Sequence, residues 1–346
     1  MIGGFFPLEF PNSPEAFTNT KSVYDFWTKE ALQVLKRRNA RSVVAALLKA
    51  HNCRRLWLPA YCCHALQSLE QIVQVQTYPM ERDLSPCLAG LEGELARGDA
   101  LLGINYFGSP AAAEYAELHA GHADVLFIED CAQDLLPGAH WGDWRIFSPR
   151  KLLGVPDGGL GVCFSDDWIV PNPVLATHFS KQVASDMLPS LFRFEDLTGE
   201  HNEEWYSLYQ EVEAGHCVEG LNGEPARGMG RLSEYILSHF SIDYLAERRI
   251  SNQMEYYSRL PKGITLYPSV FEKPMLGVPV VLKRRDEINT ELSRKGIFCA
   301  RHWESLPTSS CAESLNLSKQ ILTLPSDHRY NVSDVDCVVN SLLGLL

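Results

Sequence analysis

One lysine, Lys151, stands in "WRIFSPRKLLGVPDGGLGV" (144–162), between a β-like run and the glycine pair Gly158–Gly159. A lysine is ordinarily a solvated cation. It becomes a carbonyl-trapping nucleophile where partial burial and a neighbouring cation, here Arg150, free its lone pair. Upstream, Asp130 closes the apolar run "VLFIED" (125–130). An aspartate leaving a buried strand is commonly a helix cap or a turn residue. With a candidate nucleophilic lysine downstream it gains a second reading. Pyridoxal phosphate chemistry uses a lysine to hold the cofactor and an acid at the pyridine nitrogen, which keeps the ring electron-withdrawing. That chemistry also requires a phosphate cradle. "NARSVVAALL" (39–48) opens a helix with Asn39 as cap and amides at Ala40, Arg41 and Ser42, and helix N-termini favour anions, although a local cap is the plainer explanation. Ser148 offers a hydroxyl to the same phosphate. Tyr61 offers a ring to stack on a flat cofactor, where packing is the commoner role of a lone aromatic.

Elements must position these residues. Apolar spacing predicts a helix over "TKEALQVLKRRN" (28–39) and another over "ARSVVAALLKAH" (40–51). "RRLWLP" (54–59), "DALLGINYFG" (99–108) and "ADVLFIED" (123–130) read as strands buried on both faces, with a helix-compatible "SPAAAEYAELHAG" (109–121) between the last two. The alternation predicts an α/β fold with a mostly parallel sheet and right-handed crossovers. Ligands gather beyond the carboxyl ends of such strands, which singles out Tyr61, Tyr106 and Asp130. The glycine pair is expected to let backbone pass close to a bound group. Residues 194–224 contain no lysine or arginine and read as an exposed acidic excursion, while 231–260 reads as one long helix. "GVPVVLK", "RDEINTELSRKG", "IFCARHW" and "VSDVDCVVNSLLGLL" then suggest strand, helix, strand, helix. This divides the chain into a large domain, 1–240, and a small C-terminal α+β domain, 241–346.

Composition narrows the partners. The chain has 346 residues, 45% of them hydrophobic, and a net charge of −12, which opposes a grip on nucleic acid. No apolar stretch is long enough to span a bilayer, and the N-terminal residues lack the features of a signal peptide, so a cytoplasmic protein is expected. The ten cysteines include no C-x-x-C pair and are expected to be free thiols. No spacing suggests a metal site, and no G-x-S-x-G motif occurs. His302 and His328 read as surface or packing residues. Arg329–Tyr330 is a speculative contact for a substrate carboxylate or sugar.

Read together, "NARSVVAALL", "LWLPAYCCHAL", "INYFGSP", "FIEDCAQDLLPGA", "FSPRKLLGVPDGGLGV", the 231–260 segment and "LTLPSDHRYNVSDVDCVV" resemble, in order, the DegT/StrS family of pyridoxal-phosphate-dependent sugar aminotransferases of fold type I. The resemblance covers nearly the whole length, and "IEDCAQ" followed by "FSPRK…GG" is its most specific part. It implies a large domain with a mostly parallel, seven-stranded-type sheet flanked by helices, followed by the small domain. Lys151 is implied as the residue that carries the cofactor covalently, and Asp130 as the partner of its pyridine nitrogen. Gln133 is implied near its phenolic oxygen, Ser148 with the Ala40 and Arg41 amides at its phosphate, and Tyr61 at the ring-stacking position. A homodimer, an amino-acid donor such as glutamate, and a keto-sugar acceptor, nucleotide-linked by analogy, are also implied. Three features depart from the family pattern. The lysine follows the serine by three residues where the family stretch F-S-F-H-x-x-K has five. The asparagine-containing segment has no clear match in "EPARGMGRLSEY", where Arg227 is the stand-in, and the acidic excursion lies where substrate-facing loops vary. Two other readings stay open: a non-catalytic relative that binds a sugar or a regulatory partner, and another pyridoxal-phosphate reaction such as decarboxylation or aldol cleavage.

Overall fold

The computed structural model describes residues 1–4, 6–8, 16, 21–109, 112–171, 187–188, 207, 227–270, 272–304, 306 and 311–346. The chain forms two compact units, one of Met1–Gly4, Cys53–Asp143 and Asp243–Leu346, the other of Phe5–Asn52 and Trp144–Ile242. In chain order the described strands are β1 (Ile2–Gly3), β2 (Gln33–Arg37), β3 (Arg55–Pro59), β4 (Gln74–Tyr78), β5 (Asp99–Ile104), β6 (Leu126–Asp130), β7 (Trp144–Phe147), β8 (Gly159–Cys163), β9 (Val278–Val281), β10 (Ile297–Phe298) and β11 (Ile321–Leu324). The described helices are α1 (Val23–Trp27), α2 (Ala40–Ala50), α3 (His64–Gln67), α4 (Ala112–Ala120), α5 (Arg231–His239), α6 (Ile242–Arg259), α7 (Arg285–Arg294), α8 (Ala312–Gln320) and α9 (Val332–Leu343).

The first unit carries four strands in the order β6-β5-β3-β4, every neighbour parallel. Each residue of β5 and β6 is buried, which explains the apolar runs Ala100–Leu102 and Leu126–Ile128 within them. Their carboxyl ends lead into Asn105–Gly108 and Asp130–Gln133. The same unit contains a smaller antiparallel pair, β9 with β11, and α6, α7 and α9 bury apolar faces against it through Tyr256, Ile288, Leu292, Val335 and Val338. The second unit carries three strands, β2-β8-β7, both pairings antiparallel. Trp27 of α1 stacks on Phe147 of β7 there, ring centroids 4.4 Å apart.

Two expectations fail. Residues 33–37 form β2, where a helix was expected over 28–39. The apolar spacing fits either element, but Leu35 and Arg37 point inward while Lys36 does not, and the ladder to β8 from Gln33–Cys163 to Arg37–Gly159 overrides helix propensity. The helix expected over 231–260 is two helices. At Phe240 (ψ 128°) the backbone turns aside: its carbonyl accepts from the Val23 N–H at 2.9 Å, and the Ser241 N–H donates to the Ala16 carbonyl at 2.8 Å. Lateral bonds replace the helical ones, and nothing in the local sequence marks that exchange. Of the acidic stretch 194–224, only Ser207 lies within the described residues.

Candidate active site

In the second unit, β7 delivers Ser148 and a 3-10 turn, Pro149–Lys151. Proline at the first position presets the turn, which closes as the Lys151 N–H donates to the Ser148 carbonyl at 3.0 Å and the Leu152 N–H to the Pro149 carbonyl at 2.8 Å. Lys151 is partly buried and Ser148 is buried, yet neither the Lys151 ammonium nor the Ser148 hydroxyl engages another described residue. Ala40 and Arg41 begin α2. Asn39 caps that helix, its side-chain oxygen accepting from the Ser42 N–H at 2.9 Å and from the Ser42 hydroxyl at 3.0 Å. The local-cap reading of Asn39 is therefore correct, and it leaves the positive end of an 11-residue helix presented at Ala40 and Arg41.

The glycine pair has a different purpose from the one expected. The Gly158 N–H donates to the Arg38 carbonyl at 2.6 Å, and Asn39 and Gly158 form a parallel bridge. A Cβ on Gly159 would lie 2.1 Å from the Asn39 carbonyl carbon and 2.4 Å from the Ala40 nitrogen. Gly159 is a glycine because the chain's own helix start passes against it, and Gly158 because its backbone sits at φ 124°. Asp157, which sequence reasoning missed, is buried and accepts from the Gly230 N–H at 2.8 Å and from the Ser233 hydroxyl, so it anchors the start of α5. Arg227 meets this neighbourhood through its backbone, its carbonyl accepting from the Arg38 N–H at 3.1 Å.

In the first unit, Tyr61, Asp130 and Gln133 come together along the carboxyl ends of β3 and β6. Asp130 Oδ1 accepts from the Ala132 N–H at 2.8 Å, so one oxygen serves the turn that sequence reasoning offered as the plain alternative. Asp130 also lies close enough to Cys62 to add to the upward push that burial gives that thiol. Gln133 is 1% exposed, and its Oε1 accepts from the Phe107 N–H at 2.8 Å. A backbone N–H only donates, so this bond fixes the amide with its NH₂ turned away from Phe107. That nitrogen, Nε2, is buried without a hydrogen-bond partner among the described residues. A buried orphan donor calls for an acceptor that binds there.

Phe107 holds its own backbone in the left-handed region, φ 54°, ψ 18°. Gly108 follows at φ 86°, and the Phe107 carbonyl accepts from the Leu276 N–H at 3.3 Å. Beside this turn, Asn105 Nδ2 donates to Glu129 Oε1 at 3.0 Å and to Asp134 Oδ2 at 3.1 Å. Tyr61 is wholly buried, its ring 6.0 Å from Tyr106 and 5.7 Å from Trp303, its hydroxyl donating to the His302 carbonyl. Sequence reasoning missed Phe107 and Trp303; the only signal for Phe107 was the "FG" step that closes "INYFG".

The remaining candidates make contacts within the first unit. His302 Nδ1 lies 2.8 Å from Thr323 Oγ1, and His328 is buried with its ring edge toward Tyr244. Arg329 is clamped by Asp327 through Nε at 2.7 Å and Nη2 at 2.9 Å. Burial alone would raise the Asp327 carboxyl, but Arg329, with Arg249 and His328, outweighs it and holds the group at about 2. The Tyr330 hydroxyl accepts from the Gly3 N–H at 2.7 Å, tying down the first strand. Among the described residues no cluster fits a metal ion, no helix is long and apolar enough to cross a membrane, and nine cysteines are free thiols.

In the second unit, an uncommitted amine suits the aldehyde of pyridoxal phosphate, and a helix N-terminus with a free hydroxyl suits its phosphate. In the first unit, an orphan amide suits its phenolic oxygen and a carboxylate its pyridine nitrogen. No family model matches the chain, and no curated protein matches it. Solved structures do. A DegT DnrJ EryC1 StrS aminotransferase from Brucella abortus is 14% identical over 96% of this chain and 92% of that one, with a TM-score of 0.63. Helicobacter pylori PseC, an aminotransferase involved in the biosynthesis of pseudoaminic acid, is 13% identical over 99% and 98%, TM-score 0.65. The sugar aminotransferase CalS13 from Micromonospora echinospora is 13% identical over 99% and 100%, TM-score 0.65. The likeness runs the length of the chain and shows that it shares the fold of these aminotransferases.

Proposed function

We propose that the chain is a pyridoxal-phosphate-dependent aminotransferase that moves an amino group from an amino acid, glutamate by analogy, to a keto-sugar that is nucleotide-linked. Fold alone does not assign a reaction, so the reading rests on the site. The observation that carries it is Lys151, an amine set on a rigid turn after β7 with no described partner for its charge.

Bound here, pyridoxal phosphate supplies an electron sink for the pair left behind when a proton leaves the donor's α-carbon. Lys151 Nζ holds the cofactor covalently at rest. Released by a donor amine, Nζ would be the base positioned to take the donor's α-proton and carry it to the cofactor. Asp130 keeps a proton at the pyridine nitrogen. Gln133 Nε2 donates to the phenolic oxygen and, held by Phe107, cannot turn away. The start of α2 at Ala40 and Arg41 binds the phosphate with the Ser148 hydroxyl, and Tyr61 bounds the ring's side of the site. A homodimer in the cytoplasm, with a cofactor domain at 1–240 and a small domain at 241–346, completes the reading.

The test is spectroscopic first. Mixed with pyridoxal phosphate, the protein should develop the visible band of lysine-bound cofactor, borohydride should fix it to the peptide containing Lys151, and Lys151→Ala should show neither. With glutamate and a panel of nucleotide-linked keto-sugars, 2-oxoglutarate and amino-sugar should appear in equal amounts. Carbon dioxide without a 2-oxo acid would overturn transamination.

A further inference from the structure

Arg285 opens α7 with its side chain only 4% exposed, and its Nε and Nη1 have no hydrogen-bond acceptor. Among the described residues its charge has one ion-pair partner. Asp286 Oδ1 lies 2.9 Å from Nε, off the N–H direction, on a side chain that is 70% exposed and that Arg301 also approaches at 3.7 Å. A guanidinium withdrawn from water is costly unless its charge and its N–H groups are both matched, and a solvated carboxylate without a hydrogen bond matches neither well. The position adds to the cost. The first turn of a helix favours anions, the cap residue Arg284 makes no side-chain capping bond, and the other acidic residue of that turn, Glu287, is bound by Arg284 at 2.7 Å.

The surroundings point to the substrate side of the first unit. Arg301, which approaches Asp286, precedes His302, whose carbonyl takes the Tyr61 hydroxyl. Burial pushes that hydroxyl upward, and the charge of Arg285 is close enough to oppose it. Arg285 thus belongs to the neighbourhood of Tyr61, just beyond the carboxyl end of β3, where α/β sheets bind their ligands.

We propose that Arg285 is the recognition residue for an oxyanion on a small substrate, a carboxylate or a phosphate, which replaces Asp286 as the partner of its guanidinium. The planar fork matches either group with two parallel hydrogen bonds, which supplies the acceptors that Nε and Nη1 lack. The two sources, the carboxylate of an amino donor and the phosphate of a nucleotide-linked acceptor, rest on the aminotransferase reading. The oxyanion site itself does not.

Calorimetric titration of the full chain with glutarate, with uridine diphosphate and with uridine tests this. One of the two oxyanions should bind the native chain, and uridine should not match it. Arg285→Gln should weaken that oxyanion by about tenfold or more, and Arg285→Lys should recover part of the loss. Binding of glutarate identifies the donor side, binding of uridine diphosphate the acceptor side. Asp286→Asn, a change at an exposed side chain, removes the internal competitor and should tighten binding by about threefold. Equal affinity in Arg285→Gln, or no binding of either oxyanion to the native chain, overturns the proposal. Should Arg285→Gln fail to fold, an unchanged or weaker affinity in Asp286→Asn overturns it instead. The visible band with pyridoxal phosphate, read on the same preparations, reports separately on the cofactor, so loss of that band strikes the aminotransferase reading and leaves the oxyanion result standing.

Discussion

The candidate functional side chains of the two units are held in opposite ways. In the first unit each commits an oxygen to the backbone: Asp130 to the Ala132 N–H, Gln133 to the Phe107 N–H, and Tyr61 to the His302 carbonyl. In the second unit Ser148 and Lys151 bond to each other through backbone alone, and the ends of their side chains engage no described residue. A group that must present one charge or one donor throughout a reaction works best when fixed, because no reorganisation is then needed as charge develops. An amine that must release one bond, accept a proton and deliver it a few ångströms away needs freedom. On the proposed function, the groups with the fewest contacts are the moving part of the chemistry.

Removing the mobile group should have the largest effect. Lys151→Ala should lower the rate of donor half-reaction by about 10³-fold or more, the scale of a lost general base, while leaving the unfolding midpoint in urea near the native value. A loss under about tenfold would break the contrast between the units, because the proton would then have another carrier. The rigid support beneath that group is tested at Gly159. A methyl there cannot avoid the Asn39–Ala40 backbone, so Gly159→Ala should destabilise the fold by about 3 kcal/mol and weaken the affinity for pyridoxal phosphate in equilibrium dialysis. Unchanged cofactor affinity in a folded Gly159→Ala would mean that α2 is not the phosphate cradle.

Much of this was legible in the sequence because the informative residues lie within short segments. The apolar runs of β3, β5 and β6 announce strands buried on both faces, and Asn39 before "ARSVV" announces a helix start. Three things were not legible. Gln33–Arg37 carries helix-forming residues and became a strand only because β8 offers it a ladder. The break at Phe240 arises from hydrogen bonds to residues far away in the chain. The glycine pair was visible, but which backbone passes against it depends on contacts that Asn39 and Gly159 make across more than a hundred intervening residues. The same limit hid Phe107, whose meaning lies in a bond to Gln133, and Arg285, which in sequence is one of three successive basic residues.

The fixed half of the contrast can be tested at Phe107 without touching Gln133. Phe107→Asn and Phe107→Val both lose the ring, but asparagine tolerates the left-handed region and a β-branched residue does not. The two variants should therefore share a stability loss and differ in function. Phe107→Val should bind pyridoxal phosphate about tenfold more weakly than Phe107→Asn, since only the valine variant releases the Gln133 amide. Equal affinities would show that the amide needs no such support.

The smallest effect is expected where the first unit fixes a charge that can titrate. His119 Nε2 lies 3.2 Å from Asp143 Oδ1, and the other carboxylate oxygen accepts from the Phe127 N–H at 2.8 Å, so this pair steadies the segment that leads into β6. The hydrogen bond to Asp143 raises the His119 pKa above 6.5 against a smaller opposing push from burial. The imidazolium is thus favoured in the folded chain, and its contribution is complete below pH 6.5 and disappears as pH rises through the folded value. The side chain is 32% exposed, so solvent screens the pair. His119→Gln should cost roughly 0.5–1 kcal/mol at about pH 5.5 and only a few tenths at about pH 9, measured as the shift in urea midpoint. A cost that does not change with pH would make the contact a neutral hydrogen bond, and the fixed groups of the first unit would then owe their rigidity to the backbone alone.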